Sequence, residues 1–281
     1  MEYHEELMQP LVSIGMPVYN RPDGLSRALT CLTGQTYRNI EIIVSDNCSP
    51  DADVKRVVES FMQHDKRITY FRQESSLGIA GNFKFVLEQA TGDYFMWAAD
   101  DDEWNKDFIK VCLADLMEDG VVSVMSNFST LYRHNGESVK GVMPEILPTL
   151  GMAGNALAFL DCMTPSLFYG LHKRQNITFF LEECFFDFFD CYFMLRLILQ
   201  GEVRIVKPAL YVAGVDAPDY QVKPAKKYRF TKLKYSSFFY YSVQSVAASS
   251  LRISEKVKVL IKLLRVVISM FLFHEVKRVF K

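Results

Sequence analysis

The stretch VSIGMPVYNRPDGLSRALTCLTGQTYRNIEIIVSDNCSPD, residues 12–51, decides the fold. It lies on a nearly unbroken apolar run, LVSIGMPVY at 11–19, as a strand buried on both faces requires. Leu25, Ala28, Leu29 and Leu32 follow at i, i+3, i+4 and i+7, the spacing of one helix face. IEIIVSD (40–46) is a second β-branched run, and Val54, Val57, Val58 and Phe61 then repeat the helical spacing. This alternation predicts βαβ units and a mostly parallel sheet.

The pattern continues outward. ITYFRQ (68–73) reads as a strand, 80–91 as a helix, YFMWAAD (94–100) as a strand, 105–118 as a helix and VVSVMSNF (121–128) as a strand. Between 129 and 180 Gly, Pro and Thr interrupt it, leaving a short helix near 153–163. A helix runs from Asp190 to Gln200 with Gly201 as its stop. VRIVKPALYVA (203–213) is a strand that Pro208 assigns to an edge.

In open α/β sheets ligands bind beyond the carboxyl ends of the strands. Pro17–Asn20, Asp46–Asp51 and Asp100–Asp102 should therefore share one rim. A carboxylate at Asp46 can accept a hydrogen bond from the N–H of a uracil-like or guanine-like base, with Pro17–Tyr19 as the facing wall and Tyr19 stacking. The same residues also suit a plain turn and helix cap. Three adjacent acids, Asp100, Asp101 and Asp102, repel and raise one another's pKa values. A divalent cation removes that cost, using one or two carboxylates together with substrate phosphates. On an extended segment Asp100 and Asp102 would point the same way, one to a ribose hydroxyl or a metal-bound water, the other to the ion. Capping the next helix would need one acid rather than three.

Composition bounds the alternatives. The chain has 281 residues, 49% hydrophobic and 23% charged, which excludes a disordered chain, a collagen-like fibre and a long coiled coil. Its net charge of −1 hides an asymmetry. Residues 1–222 carry 18 Lys+Arg against 31 Asp+Glu, whereas 223–281 carry 14 against 2. Such a tail expects an anionic partner. The six cysteines (Cys31, Cys48, Cys112, Cys162, Cys184, Cys191) have no metal-finger spacing and suit reduced thiols in the cytoplasm. The opening MEYHEELMQP is no signal peptide, and VVISMFLF (266–273) is too short to cross a bilayer.

Residues 12–51 resemble the opening of family 2 glycosyltransferases, in which P-x-Y-N, Q-T-Y-x-N-x-E and a D-[DN]-x-S-x-D turn recur at this spacing. LGIAGNF (77–83) and TGDYFMWAADDDEW (91–104) resemble the family's next two elements in order. The resemblance implies a GT-A fold: a Rossmann-like, mostly parallel sheet flanked by helices. It implies a catalytic domain over 1–222, with a nucleotide-sugar half (1–128) and an acceptor half (129–222). It also implies a nucleotide-sugar donor, UDP-linked by preference, Mn²⁺ or Mg²⁺, and an inverting transfer to a glycan or lipid-linked oligosaccharide.

Carried over by position, Asp46 contacts the base, and Pro17, Tyr19, Asn20, Asn47 and Asn82 line the nucleotide pocket. Asp100 lies near the ribose and Asp102 at the metal, with Asp101 able to exchange roles with either. The family's loop contact after the last strand finds no match near Tyr211–Asp219. FFDCYFMLRLILQG (188–201) fits the family's later acidic helix, Phe189 standing where a Glu is usual, and makes Asp190 the candidate general base. Asp187 is the runner-up, with Glu182 and Glu183 behind it. Phenylalanines around Asp190 would raise its pKa toward useful basicity. Lys173 and Arg174 are candidate phosphate or acceptor contacts, or a solvated surface pair.

In the tail, KPAKKYRFTKLKY (223–235) interleaves cations with aromatics. Lys258, Lys262, Arg265 and Ser269 then recur at helical spacing opposite Leu260, Ile261, Leu264, Val267, Ile268 and Phe271. That predicts a helical extension lying in a membrane interface, which would put the protein on the inner face of a membrane. Packing on the catalytic domain or a second subunit, and nucleic-acid binding, are weaker alternatives. Rival functions are a nucleotidyltransferase, disfavoured without a Gly-rich loop at the first strand, and a non-catalytic nucleotide-sugar-binding or scaffold protein. A dehydrogenase is disfavoured because no G-x-G-x-x-G follows a strand.

Overall fold

The computed structural model describes residues 9–183, 186–215 and 234–279. The first apolar run is β1 (Val12–Val18), and every one of its residues is buried. It is followed by α1 (Pro22–Thr33), which turns Leu25, Ala28, Leu29 and Leu32 inward as their spacing predicts. Then come β2 (Ile40–Asp46), α2 (Ala52–Met62), β3 (Ile68–Arg72), α3 (Gly78–Glu88) and β4 (Tyr94–Trp97). β5 (Glu103–Trp104) is a two-residue strand, and α4 (Phe108–Leu116) starts later than expected because a turn at 106–107 precedes it.

The second half supplies β6 (Val121–Tyr132), β7 (Glu137–Lys140), α5 (Gly151–Asp161), β8 (Leu171–Lys173), α6 (Phe189–Ile198) and β9 (Glu202–Val215). Two helices follow, α7 (Lys234–Ala248) and α8 (Ile253–Val279). Sequence patterning missed β5, β7, β8 and α7. The three strands are too short to show a period of two, and α7 is rich in Ser, Tyr and Gln.

All strands join one mixed sheet, ordered β3-β2-β1-β4-β8-β6-β9-β5, with β7 beside β6. β1, β2, β3 and β4 are parallel, and β8 runs antiparallel between β4 and β6. The chain winds from β1 to β2 and β3 on one side and returns to β4 on the other. The reversal opens a switch point between β1 and β4. Gly15 is the last residue of β1 paired with β4, and its carbonyl accepts from Ala98 N–H at 2.8 Å. By alternation Pro17 faces the gap where β4 has left, a place where a missing N–H costs the ladder nothing. Pro208 behaves similarly: the β6–β9 register shifts between Val206 and Ala209, and Pro208 sits in that irregularity.

Trp97 ends β4 in the centre of the core. Its ring stacks on Phe168 at 4.5 Å between centroids and packs with Phe95, Phe180 and Phe193. α8 lies against α5 and α7 rather than apart from the domain. Val259 and Leu263 are buried there, while Val257, Ile261, Leu264, Ile268 and Phe271 remain exposed. The apolar face expected of this helix is therefore split, one stripe packed on the protein and one outward. Among the described residues no helix is long and apolar enough to cross a membrane. Most of the basic–aromatic run, residues 223–233, lies outside the described residues.

Candidate functional site

β1, β2 and β4 end on one rim, and their end segments meet there. Tyr19 N–H donates to Asp100 at 3.4 Å, and Asn20 N–H donates to Ser49 Oγ at 2.9 Å. Asn20 takes a left-handed backbone with φ 57°, a turn that Asn tolerates better than most residues. The Tyr19 side chain is exposed at this edge. Three segments distant in sequence are thus brought together as the strand-end rule predicts.

The carboxylate of Asp46 is fully buried and richly satisfied. It accepts from Tyr70 Oη, from an Arg72 guanidinium N–H and from Ser49 N–H, each at 2.8 Å. Burial, then the hydrogen bond to Asp46, pushes the Tyr70 phenol up to about 12. The Arg72 side chain on this buried carboxylate is partly exposed. Asn47 and Asn82 do not point into a pocket. Asn47 Oδ1 accepts Leu77 N–H at 2.7 Å and fastens the entry to α3. Asn82 donates to Ser45 O at 2.9 Å and accepts from Ser45 Oγ at 2.6 Å, bracing the end of β2. The Asn82 amide is used at both ends and the Asn47 amide at its oxygen, so both residues serve the fold here.

The acidic loop is built differently. Residues 99–102 form a turn rather than an extended segment, so Asp100 and Asp102 diverge instead of pointing the same way. One Arg21 guanidinium nitrogen bridges Asp100 at 3.1 Å and Asp101 at 2.6 Å. Asp102 turns the other way, accepting from Tyr211 Oη and from Gly214 N–H, the latter at 2.8 Å. Two close backbone approaches fix the loop. A Cβ on Gly24 of α1 would sit 2.3 Å from Asp100 O, and one on Gly214 of β9 would sit 2.0 Å from Asp101 O. Only glycine fits at either place.

Burial raises Asp100 to about 6, Arg21 opposing and Asp101 adding to the shift. Burial, followed by repulsion from Asp101, raises Asp102 to about 7. The loop thus keeps acidic charge that the fold has not fully neutralised. Its donors are hard carboxylate oxygens, which fit Mg²⁺ or Mn²⁺ in kind. They do not converge: among the described residues no three His, Cys, Asp or Glu side chains are grouped to hold an ion. The donor set fits a cation whose shell is completed by phosphate oxygens, not an all-protein cage.

Asp190 lies in the first turn of α6, and its Oδ1 accepts Cys191 N–H at 2.7 Å. Phe188 just before it adopts a left-handed φ of 65°, a strained value for a bulky side chain. Burial raises the Asp190 pKa, as the surrounding phenylalanines suggest. Tyr169 ties Asp190 to the acidic loop. Burial raises its phenol well above the ordinary value, and Asp102, Asp101, Asp190 and Asp100 all add to that shift electrostatically. The Tyr169 ring stacks with Tyr211, the partner of Asp102, at 6.3 Å.

The other candidates fall elsewhere. Asp187 is exposed and acts electrostatically on Tyr235 of α7. Glu183 accepts from Tyr192 Oη at 2.8 Å and from Arg196, while Glu182 is exposed. Lys173 and Arg174 are not on the rim. Lys173 pairs in register with Tyr94 at the start of β4, and its ammonium donates to Glu118 O at 3.0 Å. Arg174 Nε donates to Gly92 O at 2.5 Å. The antiparallel run of β8 carries both to the end of β4 opposite the acidic loop.

Sequence reading passed over Arg21, Arg72, Tyr169 and Tyr211. Arg21 did carry a signal: it precedes Pro22 at a helix start, where a polar or acidic cap is usual. Tyr211 and Gly214 come from the segment that offered no family match, and they act through a phenol and a backbone amide rather than a His or Arg.

A family description, glycosyl transferase family 2, matches residues 13–174. The chain belongs to this family. The GalNAc(5)-diNAcBac-PP-undecaprenol beta-1,3-glucosyltransferase of Campylobacter jejuni is 39% identical over 95 residues, 34% of this chain and 30% of that protein. The match therefore spans under a third of that relative's length. S. aureus TarS 1–349 in complex with UDP-GlcNAc superposes with a TM-score of 0.71 at 16% identity, over 93% of this chain and 73% of that one. A mannosyltransferase from Pyrobaculum calidifontis in complex with GDP-Man and Mn²⁺ gives a TM-score of 0.55 at 16% identity, over 92% of this chain and 74% of that one. At such identities these likenesses concern the fold, an α/β fold whose sheet is mixed rather than mostly parallel as the sequence led one to expect.

Proposed function

We propose that this family 2 chain is a metal-dependent, inverting glycosyltransferase. It moves a sugar from a nucleoside-diphosphate donor to a hydroxyl of a glycan or lipid-linked oligosaccharide. The observation that carries this reading is the clamped, incompletely neutralised acidic loop at the switch point, with Asp190 in its electrostatic neighbourhood. The structures of similar fold hold a UDP-sugar in one case and a GDP-sugar with Mn²⁺ in the other, which supports the donor class.

On this reading Tyr19 offers its exposed ring to the base, and Arg72, oriented by Asp46, offers a donor beside it. Asp100 serves the ribose side. The loop carboxylates, Asp102 with Asp101 and Asp100 beside it, would hold a divalent cation, Mn²⁺ or Mg²⁺, whose chemistry would be to offset charge on the departing diphosphate. Asp190 accepts the proton of the acceptor hydroxyl while that oxygen bonds to the anomeric carbon. The bond to the diphosphate oxygen breaks on the opposite face, so configuration inverts. A raised pKa suits Asp190 to this task, because a stronger base takes the proton more readily.

The same proposal assigns 1–222 to the catalytic domain, with a donor half and an acceptor half, and 223–281 to a membrane-facing tail. The outward stripe on α8 runs Val257, Ile261, Leu264, Ile268, Phe271, with Lys258 and Arg265 exposed beside it. Such a face suits an anionic leaflet, and a lipid-linked acceptor would lie there. It supports a peripheral position on the inner face of the membrane, with a homodimer left open.

A panel of UDP-, GDP- and dTDP-sugars incubated with Mn²⁺, Mg²⁺ or EDTA, scored by nucleoside diphosphate release, tests the donor and metal. Wild-type release that Asp190→Asn leaves untouched would defeat the assignment of the base.

A further inference from the structure

The three acids of the loop are treated unequally. Asp102 is tied to neutral donors, Tyr211 and Gly214, whereas Asp100 and Asp101 share a cation that belongs to the chain, Arg21. Two other arginines lie beside the loop. Arg133 pairs with Glu103 at 2.7 Å and donates to Asp101 O at 3.1 Å, and Arg27 lies 3.9 Å from Glu103. Arg21 therefore stands where a divalent cation would have to make its first contact with the Asp100–Asp101 pair.

Two features make this pairing exchangeable. The backbone of Asp100 and Asp101 is held between Gly24 and Gly214 by approaches too close for any Cβ, so a cation is admitted by side-chain movement, not by the loop opening. Arg21 is the side chain able to move. It precedes the helical residues of α1, makes no cap hydrogen bond there, and keeps about a fifth of its side chain exposed. It also sits at the positive end of the helix dipole, where a cation is disfavoured and an anion favoured.

Building on the donor-site reading above, we propose that Arg21 is the resident counter-ion of the acidic loop. It holds Asp100 and Asp101 until a divalent cation arrives with the donor, and its released guanidinium then pairs with the donor's diphosphate. A planar guanidinium matches two phosphate oxygens as well as it matches two carboxylates. The exchange keeps charge balanced throughout. The cation replaces Arg21 on the acids, and Arg21 meets the anion that the cation brings. It also predicts that the site discriminates against metal without nucleotide, because bare metal must displace Arg21 with no phosphate to receive it.

The test is Mn²⁺ binding without nucleotide, read by electron paramagnetic resonance, and UDP binding in saturating Mn²⁺, read by calorimetry. Wild type is compared with Arg21→Gln and Arg21→Lys. Removing the charge in Arg21→Gln is expected to tighten binding of Mn²⁺ alone about tenfold and to weaken UDP about tenfold, a change of sign that a merely structural residue would not produce. Arg21→Lys keeps the charge and should hold bare Mn²⁺ near the wild-type affinity, which guards against misfolding of the neutral variant. Arg21→Gln that binds Mn²⁺ no more tightly than wild type, while UDP binding to wild type is intact, would overturn this proposal alone. Wild type that binds neither UDP nor GDP, with or without Mn²⁺, would overturn the donor-site reading and this proposal with it.

Discussion

Asp46 and the Asp100–Asp102 loop end two strands of the same sheet, on the same rim, and the fold uses their charge in opposite ways. Asp46 is surrounded by Tyr70, Arg72 and Ser49, and every donor it meets is supplied by neighbouring chain. The acidic loop shares Arg21 between Asp100 and Asp101, takes a phenol and backbone amides, and burial leaves Asp100 and Asp102 with raised pKa values. A carboxylate satisfied from within is architecture. A group of three adjacent acids at a switch point, two of them pushed up by burial, carries a cost in the folded chain.

The comparison is broken most directly at the catalytic end. Asp190→Asn should lower kcat by about a thousandfold with little change in donor KM, as loss of a general base does. Steady-state kinetics on the best donor from the sugar panel checks this. The acid limb of the kcat/KM profile should also lie above the ordinary carboxylate range, because burial raises Asp190 and the base works only when deprotonated. A profile flat down to pH 4 would contradict the assignment.

Next in size, Asp46→Asn should cost roughly 3 kcal/mol of stability in urea denaturation, since Arg72 and Tyr70 lose the buried charge they converge on. Asp102→Asn should do the reverse. It should abolish most transfer while leaving the apo protein about 1 kcal/mol more stable, because it removes a repelled, buried charge. A destabilised Asp102→Asn would mean that the two acids are not opposites after all.

Away from the rim, His172 offers a control in the core. It is fully buried between Ser123 and the Phe168 carbonyl, and burial lowers its pKa from 6.5 to about 4. A depressed folded pKa means stability that is present above pH 6.5 and lost as the pH falls toward 4, where only the unfolded chain takes the proton. The loss should reach roughly 3 kcal/mol by pH 4, at about 1.4 kcal/mol per unit, and His172→Gln should flatten it. Smallest is the expected effect of Leu264→Gln with Ile268→Gln on the outward stripe of α8. Thermal unfolding should move little, while cosedimentation with anionic vesicles should fall several-fold.

How far these features were legible in the sequence follows from the kind of signal each leaves. β1, β2, α1 and α2 were readable because their buried faces repeat apolar residues at the period of their element. The rim was readable because it collects polar residues at strand ends. Asn47 and Asn82 show the limit of that signal: a polar residue that braces a loop looks, in sequence, like one that meets a ligand. Lys173 and Arg174 were misplaced because a three-residue antiparallel strand leaves no pattern, and its direction decides which rim its residues reach. Tyr169 and Tyr211 became visible only when the short helix at Pro165–Tyr169 and β9 were brought against the loop.

The two glycines that grip this loop have a consequence for how the protein can change. Any side chain at Gly24 or Gly214 would collide with a carbonyl of the acidic turn, so neither position can drift without moving the acids themselves. One lies on α1 and the other on β9, beside the β5 edge of the sheet. Variants that retune this enzyme toward another sugar will therefore have to be sought in the side chains around the turn, because its track is bolted at both ends.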